Sequence, residues 1–291
     1  MDSRDIKEEP LIVSQFLESM FDLQSYLIES YTKIEGIPTP PIDVNTKKSQ
    51  QLIKDFSARV IEELAEGFES LQHIHDTVLN TNYFFVKNEN THNQLLPCFQ
   101  QLQNLSEELA DALHFYLELL IYINVDPDSI ITYIQKFVPE VVLQNTIFDD
   151  KLTDIMEVGN ILIRNHYPNE SFISESSSVD LYGIASSIGM EVKHKNLKKL
   201  GSRVDIGNIN THKSILWDIT QHINIARNFL KNKPWKQTEM LTQESAFQAE
   251  LIKGFIILLG YMAILGGTAE DVYYIYFKKN MVNRFRIESK Y

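Results

Sequence analysis

The chain has 291 residues, 44% hydrophobic and 11% aromatic, enough to bury a substantial core and too apolar for a disordered segment. A net charge of −12 argues against general nucleic-acid binding, because an acidic surface repels a phosphate backbone. With one cysteine, Cys98, no intrachain disulfide can form, and 11 glycines and 9 prolines favour long helices over the many turns of an all-β fold.

In chain order, Ile12, Phe16, Met20, Leu23, Leu27 and Tyr31 recur at three- and four-residue spacing and predict an amphipathic helix over 11–34. The stretch Gly36-Ile-Pro-Thr-Pro-Pro41 stops it. A second helix is predicted over 46–79, then a polar connection, then a third over 98–123 with the dense apolar run Leu109, Leu113, Phe115, Leu117 and Leu120. Asn124-Val-Asp-Pro-Asp-Ser129 breaks the chain and offers Asp126 or Asp128 as the cap of a fourth helix ending at Phe137. Residues 139–207 are less regular, with a serine-rich stretch at 171–178 and a basic run at 193–199, and read as an insertion or a pair of short helices. Helical periodicity returns over 211–231 and 239–265, and a last helix starts near Thr268 with an acidic first turn and runs towards Arg286.

The apolar run 254–267 is too short to span a bilayer and follows Lys253, so it reads as a buried helix rather than a membrane segment. The charged first nine residues lack the apolar centre of a signal peptide, and with the lone cysteine they lead us to expect a cytoplasmic protein. Cys98 itself reads as a packing residue. A weak internal repeat sets Glu108-Leu-Ala-Asp111 and its following helix against Glu250-Leu-Ile-Lys253 and its following helix. Lys253 then falls where the first copy has Asp111, and the second copy becomes scaffold.

Two acidic motifs stand out, Glu62-Glu63-Leu-Ala-Glu66 and Glu107-Glu108-Leu-Ala-Asp111. In each, the outer carboxylates three residues apart share one side of a helix, within an otherwise apolar register. Inward carboxylates repel one another and resist desolvation, and a divalent cation relieves both costs. Glu63, Glu66, Glu108 and Asp111 make an oxygen-only set suited to two or more Mg²⁺ ions, with Mn²⁺ a substitute. Glu62 is a further ligand or a water-orienting base. Such a site fits phosphoanhydride hydrolysis. A di-iron bundle would need Glu-x-x-His steps, which neither motif has. A solvated acidic helix face remains the plain alternative.

Three segments carry a resemblance to the all-α nucleoside triphosphate pyrophosphohydrolases, within them the dimeric dUTPases and phage dCTP/dUTP pyrophosphatases. These are the two acidic motifs, the second extended as Glu108-Leu-Ala-Asp-Ala-Leu-His-Phe115, and the C-terminal Tyr276-Phe-Lys-Lys-Asn-Met-Val-Asn-Arg-Phe-Arg286. The resemblance implies an all-α helical bundle, a deoxynucleoside triphosphate substrate, dUTP or dCTP, and a homodimer. It implies that Lys279 and Arg286 hold phosphates and that Asn280 and Asn283 contact sugar or phosphate. In the tail, Tyr291 keeps its place in that group. Gln24 matches a base-reading glutamine, with Leu27 where the dimeric dUTPases place an asparagine; uracil and cytosine both stay open. His114 and Phe115, one turn past Asp111, are expected to wall the base or sugar.

The chain departs from the family at its tail, which reads Arg286-Ile-Glu-Ser-Lys-Tyr291 without the usual glutamine and glycine, and after the first acidic motif, where a tryptophan- and lysine-containing segment is missing. The resulting layout is one integrated domain: 1–138 a metal-binding helical half, 139–207 an insertion or linker helices, and 208–291 a second helical half with a phosphate-binding last helix. Two rival readings stay open, a pyrophosphohydrolase for other or modified nucleotides and a helical interaction protein with a degenerate site.

Overall fold

The computed structural model describes residues 6, 10, 15–80, 96–138, 150–168, 209–231 and 241–289. The serine-rich stretch, the basic run at 193–199, the polar connection beyond Asn80, the first turn predicted at 11–14 and Tyr291 lie outside them. Among the described residues there are eight helices and no strand, so the expected all-α fold is borne out.

Helix α1, Phe16–Glu35, buries Leu17, Met20, Leu27 and Ile28 along one stripe. It stops where expected. Gly36 takes a left-handed conformation, φ 66°, and its N–H bonds the Thr32 carbonyl, a conformation that a residue with a Cβ adopts at a cost. Helices α2, Lys47–Asn80, and α3, Leu96–Tyr122, lie antiparallel. Their pairing is fixed at three levels: Phe56 stacks on Tyr122, Gly67 faces Leu105, and Cys98 sits against the Ile74 carbonyl. Cys98 is fully buried, the packing role its sequence suggested.

Asp126, rather than Asp128, caps α4, Pro127–Phe137, accepting from the Ser129 N–H at 2.7 Å with Pro127 in the first turn. Asp128 instead takes a bond from Lys151, which also reaches Glu18 at 2.7 Å. Within the stretch read as irregular, Lys151–His166 is a full helix, α5, capped by Asp150. Its apolar stripe is interrupted by Gly159 and Asn160, which hides the periodicity in the sequence, yet Gly159 is what lets it pack.

Helices α6, Ile209–Phe229, and α7, Glu244–Ile264, complete the second layer. The apolar run is a buried helix, as expected: α7 is long and apolar enough to cross a membrane, but α3, α5 and α6 pack around it and bury Phe247, Leu251, Phe255 and Tyr261 completely. The last helix, α8, Ala269–Ser289, begins at a reciprocal cap in which the Asp271 carboxylate accepts from the Thr268 N–H at 2.9 Å and the Thr268 hydroxyl accepts from the Asp271 N–H at 3.3 Å. It packs against α1 and α3. Helices α1, α2, α3 and α8 therefore enclose one space, and α5, α6 and α7 back it.

At the α5–α7 crossing a Cβ on Gly159 or Gly260 would enter the backbone of the facing helix. Gly159→Ala is expected to lower stability by about 1–3 kcal/mol through overpacking, seen as a lower urea midpoint at unchanged slope. Gly67→Ala, whose added Cβ meets Leu105 at an ordinary 3.4 Å, is expected to be neutral or to gain up to about 1 kcal/mol of helix propensity.

Candidate functional site

A cavity of about 420 Å³ opens between α1, α2, α3 and α8. Of the residues singled out in the sequence, Gln24, Glu63, Asp111, His114, Phe115, Lys279, Asn283 and Arg286 all line it. Residues up to 262 positions apart in the chain meet there because antiparallel α2 and α3 present Glu63 and Asp111 to one side and α8 crosses them.

At one end, Glu63, Glu66 and Glu108 each offer a carboxylate oxygen, all within 4.8 Å of one another. Glu63 is pushed up to about 8, first by burial and then by Asp111 and Glu108. Glu108 is also raised, first by burial, while its hydrogen bond with Glu63 works the other way. Asp111 does not join this trio. Its Oδ2 meets Lys279 Nζ at 2.5 Å, and burial raises its carboxyl while Lys279 and Arg286 pull it down. Glu62 is exposed and belongs neither to the trio nor to the cavity lining.

The basic face comes from α8. Lys279, Asn283 and Arg286, at i, i+4 and i+7, point into the cavity. Asn280 was expected on the same face, but one residue turns it about 100° around the helix, and it is fully buried, donating to the Leu23 carbonyl of α1 at 3.4 Å.

His114 is 3% exposed and stacks on Tyr276 with ring centroids 4.1 Å apart. Its Nδ1–H donates to the Ala110 carbonyl at 2.9 Å, an acceptor only, so Nε2 carries a lone pair, and it has no partner among the described residues. Burial depresses the ring to about 3, and it stays neutral. The Tyr276 hydroxyl lies 2.9 Å from Gln24 Oε1 and 3.0 Å from the Met20 carbonyl, which fixes the Gln24 amide at the cavity wall.

Several lining residues had no assigned role in the sequence reading. Arg59, one turn before Glu63, lies over the Phe115 ring at 5.4 Å. Glu118, Tyr31 and Asp55 complete the far wall. Helical spacing was the available signal, since Arg59 precedes Glu63 by four residues and Glu118 follows Asp111 by seven; without the cavity, that spacing does not separate a lining group from a surface one.

Among the described residues no such trio forms around Glu250. Glu250 is taken up by Lys253 and His222, each at 2.8 Å. Lys253 supplies internally the charge that the first half lacks.

The described helices set half-buried carboxylates opposite lysine, arginine and amide donors across one cavity, an arrangement suited to a phosphate anhydride. The sequence model of the dUTPase family matches residues 168–291. That stretch of the chain is dUTPase-like, bearing out the resemblance, and at the level of the family it supports dUTP hydrolysis by a nucleotide hydrolase. The match takes in Lys279, Asn283 and Arg286 and does not reach the carboxylates of α2 and α3. No curated protein and no solved structure matches the chain.

The raised carboxyls set a pH dependence. Between about pH 6.5, above which His114 is neutral folded or unfolded, and pH 8, Glu63 and Glu118 hold protons in the folded protein and lose them in the unfolded chain. Unfolding then releases protons, so stability in a chelating buffer is expected to fall as pH rises through this window. Urea midpoints across it should flatten in Glu63→Gln and Glu118→Gln; a flat wild-type profile would mean both groups are ionised in the folded state.

Proposed function

We propose that the protein hydrolyses a pyrimidine deoxynucleoside triphosphate, dUTP or dCTP, to the monophosphate and pyrophosphate with Mg²⁺. The observation that carries this reading is the contact of Asp111 with Lys279, which places the α8 basic face directly against the carboxylates of α2 and α3.

The donor set fits a hard divalent cation. Glu63, Glu66 and Glu108 are all-oxygen donors close enough to share one ion, and burial raises the carboxyls of Glu63 and Glu108, a cost that a cation would relieve. Asp111 would join them once Lys279 turned to a phosphate, exchanging one ion pair for two. Bound Mg²⁺ would neutralise triphosphate charge and lower the pKa of a coordinated water.

The remaining steps belong to the chain's own side chains. Lys279 and Arg286 bind the phosphates, Arg286 with the geometry for two parallel hydrogen bonds. Asn283 donates to phosphate or sugar. His114 and Phe115 wall the nucleoside, and the neutral His114 offers Nε2 as an acceptor to a hydroxyl. Glu63 borders both the trio and the cavity and orients the attacking water. As the new P–O bond forms, the bridging P–O bond between the α and β phosphates breaks, pyrophosphate leaves, and the water proton passes to a carboxylate. Glu62 lies outside both the trio and the cavity lining, which leaves that role to Glu63. We further propose that the enzyme works as a cytoplasmic homodimer, as the family resemblance and lone cysteine imply.

The test is pyrophosphate release from a panel of deoxynucleoside triphosphates with and without Mg²⁺. Cleavage is expected for dUTP or dCTP only with the metal, reduced roughly 100-fold or more in Glu63→Gln, Asp111→Asn and Lys279→Ala proteins of wild-type circular dichroism. Cleavage spread over purine or modified nucleotides would favour the wider pyrophosphohydrolase reading, and none at all the interaction protein.

A further inference from the structure

The cavity continues past the carboxylates. The inner face of α3 runs from Asp111 through His114 and Phe115 to Glu118, a rise on the order of 10 Å over seven residues, and all four line the same space. From the phosphate-facing Asp111 to Glu118 is thus about the reach of a sugar and a base.

Glu118 is 8% exposed, yet among the described residues no donor hydrogen-bonds its carboxyl and no cation forms an ion pair with it. Arg59 acts on it only at longer range, and Glu35 opposes. A buried polar group without a partner is costly and uncommon. Here the group faces a cavity, so a ligand can supply the partner. Burial pushes the carboxyl up to about 8, which keeps it an acid at neutral pH, with one donor and one acceptor side by side.

That pair complements one edge of a pyrimidine. Uracil presents the N3–H donor beside the O4 acceptor; cytosine presents the N3 acceptor beside the N4 amino donor. A carboxylic acid meets either order without moving a heavy atom, because its proton sits on either oxygen. Leu27, on the same cavity wall, offers no polar atom for this task. Gln24, with Oε1 held by Tyr276, has its N–H groups left for O2, which both bases share. Phe115, with Arg59 over its ring, supplies a face for stacking.

We infer that Glu118 reads the N3 and 4-position edge of the base and lets one pocket accept both uracil and cytosine. The inference rests on the proposed reading of the site as one for pyrimidine deoxynucleotides. Glu118 is then a specificity residue, separate from the group that carries the hydrolysis.

The experiment pairs equilibrium binding of dUMP and dCMP with steady-state kinetics on dUTP, dCTP and base-free deoxyribose 5-triphosphate, for wild type, Glu118→Leu and Glu118→Gln. Wild type is expected to bind both monophosphates within about tenfold of each other. Glu118→Leu should raise Kd and KM for both bases roughly 10- to 100-fold, with little change in kcat and none on the base-free substrate. Glu118→Gln, whose amide also offers a donor and an acceptor, should keep most of the affinity. Unchanged Kd in Glu118→Leu, an equal loss on the base-free substrate, or a wild-type preference above 100-fold for one base would overturn the inference. Base binding lost in Glu118→Leu while wild type hydrolyses nothing would leave Glu118 as the base reader and sink the hydrolase reading alone.

Discussion

Crowded, partly buried carboxylates are the constraint around which α1, α2, α3 and α8 are arranged. Glu63, Glu66 and Glu108 converge within 4.8 Å, and Asp111 stands beside them, but among these the cation Lys279 directly engages only Asp111. A packed interior raises the free energy of every unneutralised carboxylate, and the shifts of Glu63, Glu108 and Asp111 record it. Such an arrangement persists only where surrounding packing holds the helices in place against their mutual repulsion. Tyr276 ties α8 to α1 through Met20 and Gln24 and to α3 through the His114 stack, and so serves as the pin that holds the basic face over the acidic one.

The second layer supplies that rigidity. Gly159 and Gly260 let α5 and α7 touch backbone to backbone, and Gly254 leaves room for the Tyr116 hydroxyl to donate to the Leu251 carbonyl at 2.8 Å, joining α3 to α7. The charge pattern separates the two halves. Where the first half leaves its carboxylates without sufficient cations, the second closes Glu250 with Lys253 and His222, so its helices are free to pack as scaffold.

How much was legible depended on whether a residue's role followed from its own helix. The breaks did: Gly36 and the Asp126-Pro127 pair ended and began helices through local backbone chemistry, and the structure differs there by a residue or two. Helix α5 was obscured because Gly159 and Asn160 interrupt its stripe, and the close approach that explains the glycine involves a helix about 100 residues away. The last segment misled in one respect. Lys279, Asn280, Asn283 and Arg286 read as one face, whereas α1 crosses α8 so as to bury Asn280 on its own side.

By itself, the sequence determined that the chain is helical and where its helices break, and it singled out the carboxylates and the basic and amide groups of the candidate site, because periodicity, capping and motif spacing act over a few residues. Only the tertiary structure decided which of those carboxylates form the trio, that Asp111 pairs with Lys279, and that Glu118 and Arg59 complete the cavity. Those outcomes turn on how α1, α2, α3 and α8 cross. Crossing geometry is set by side chains packing across helices distant in the chain, and no local pattern encodes it.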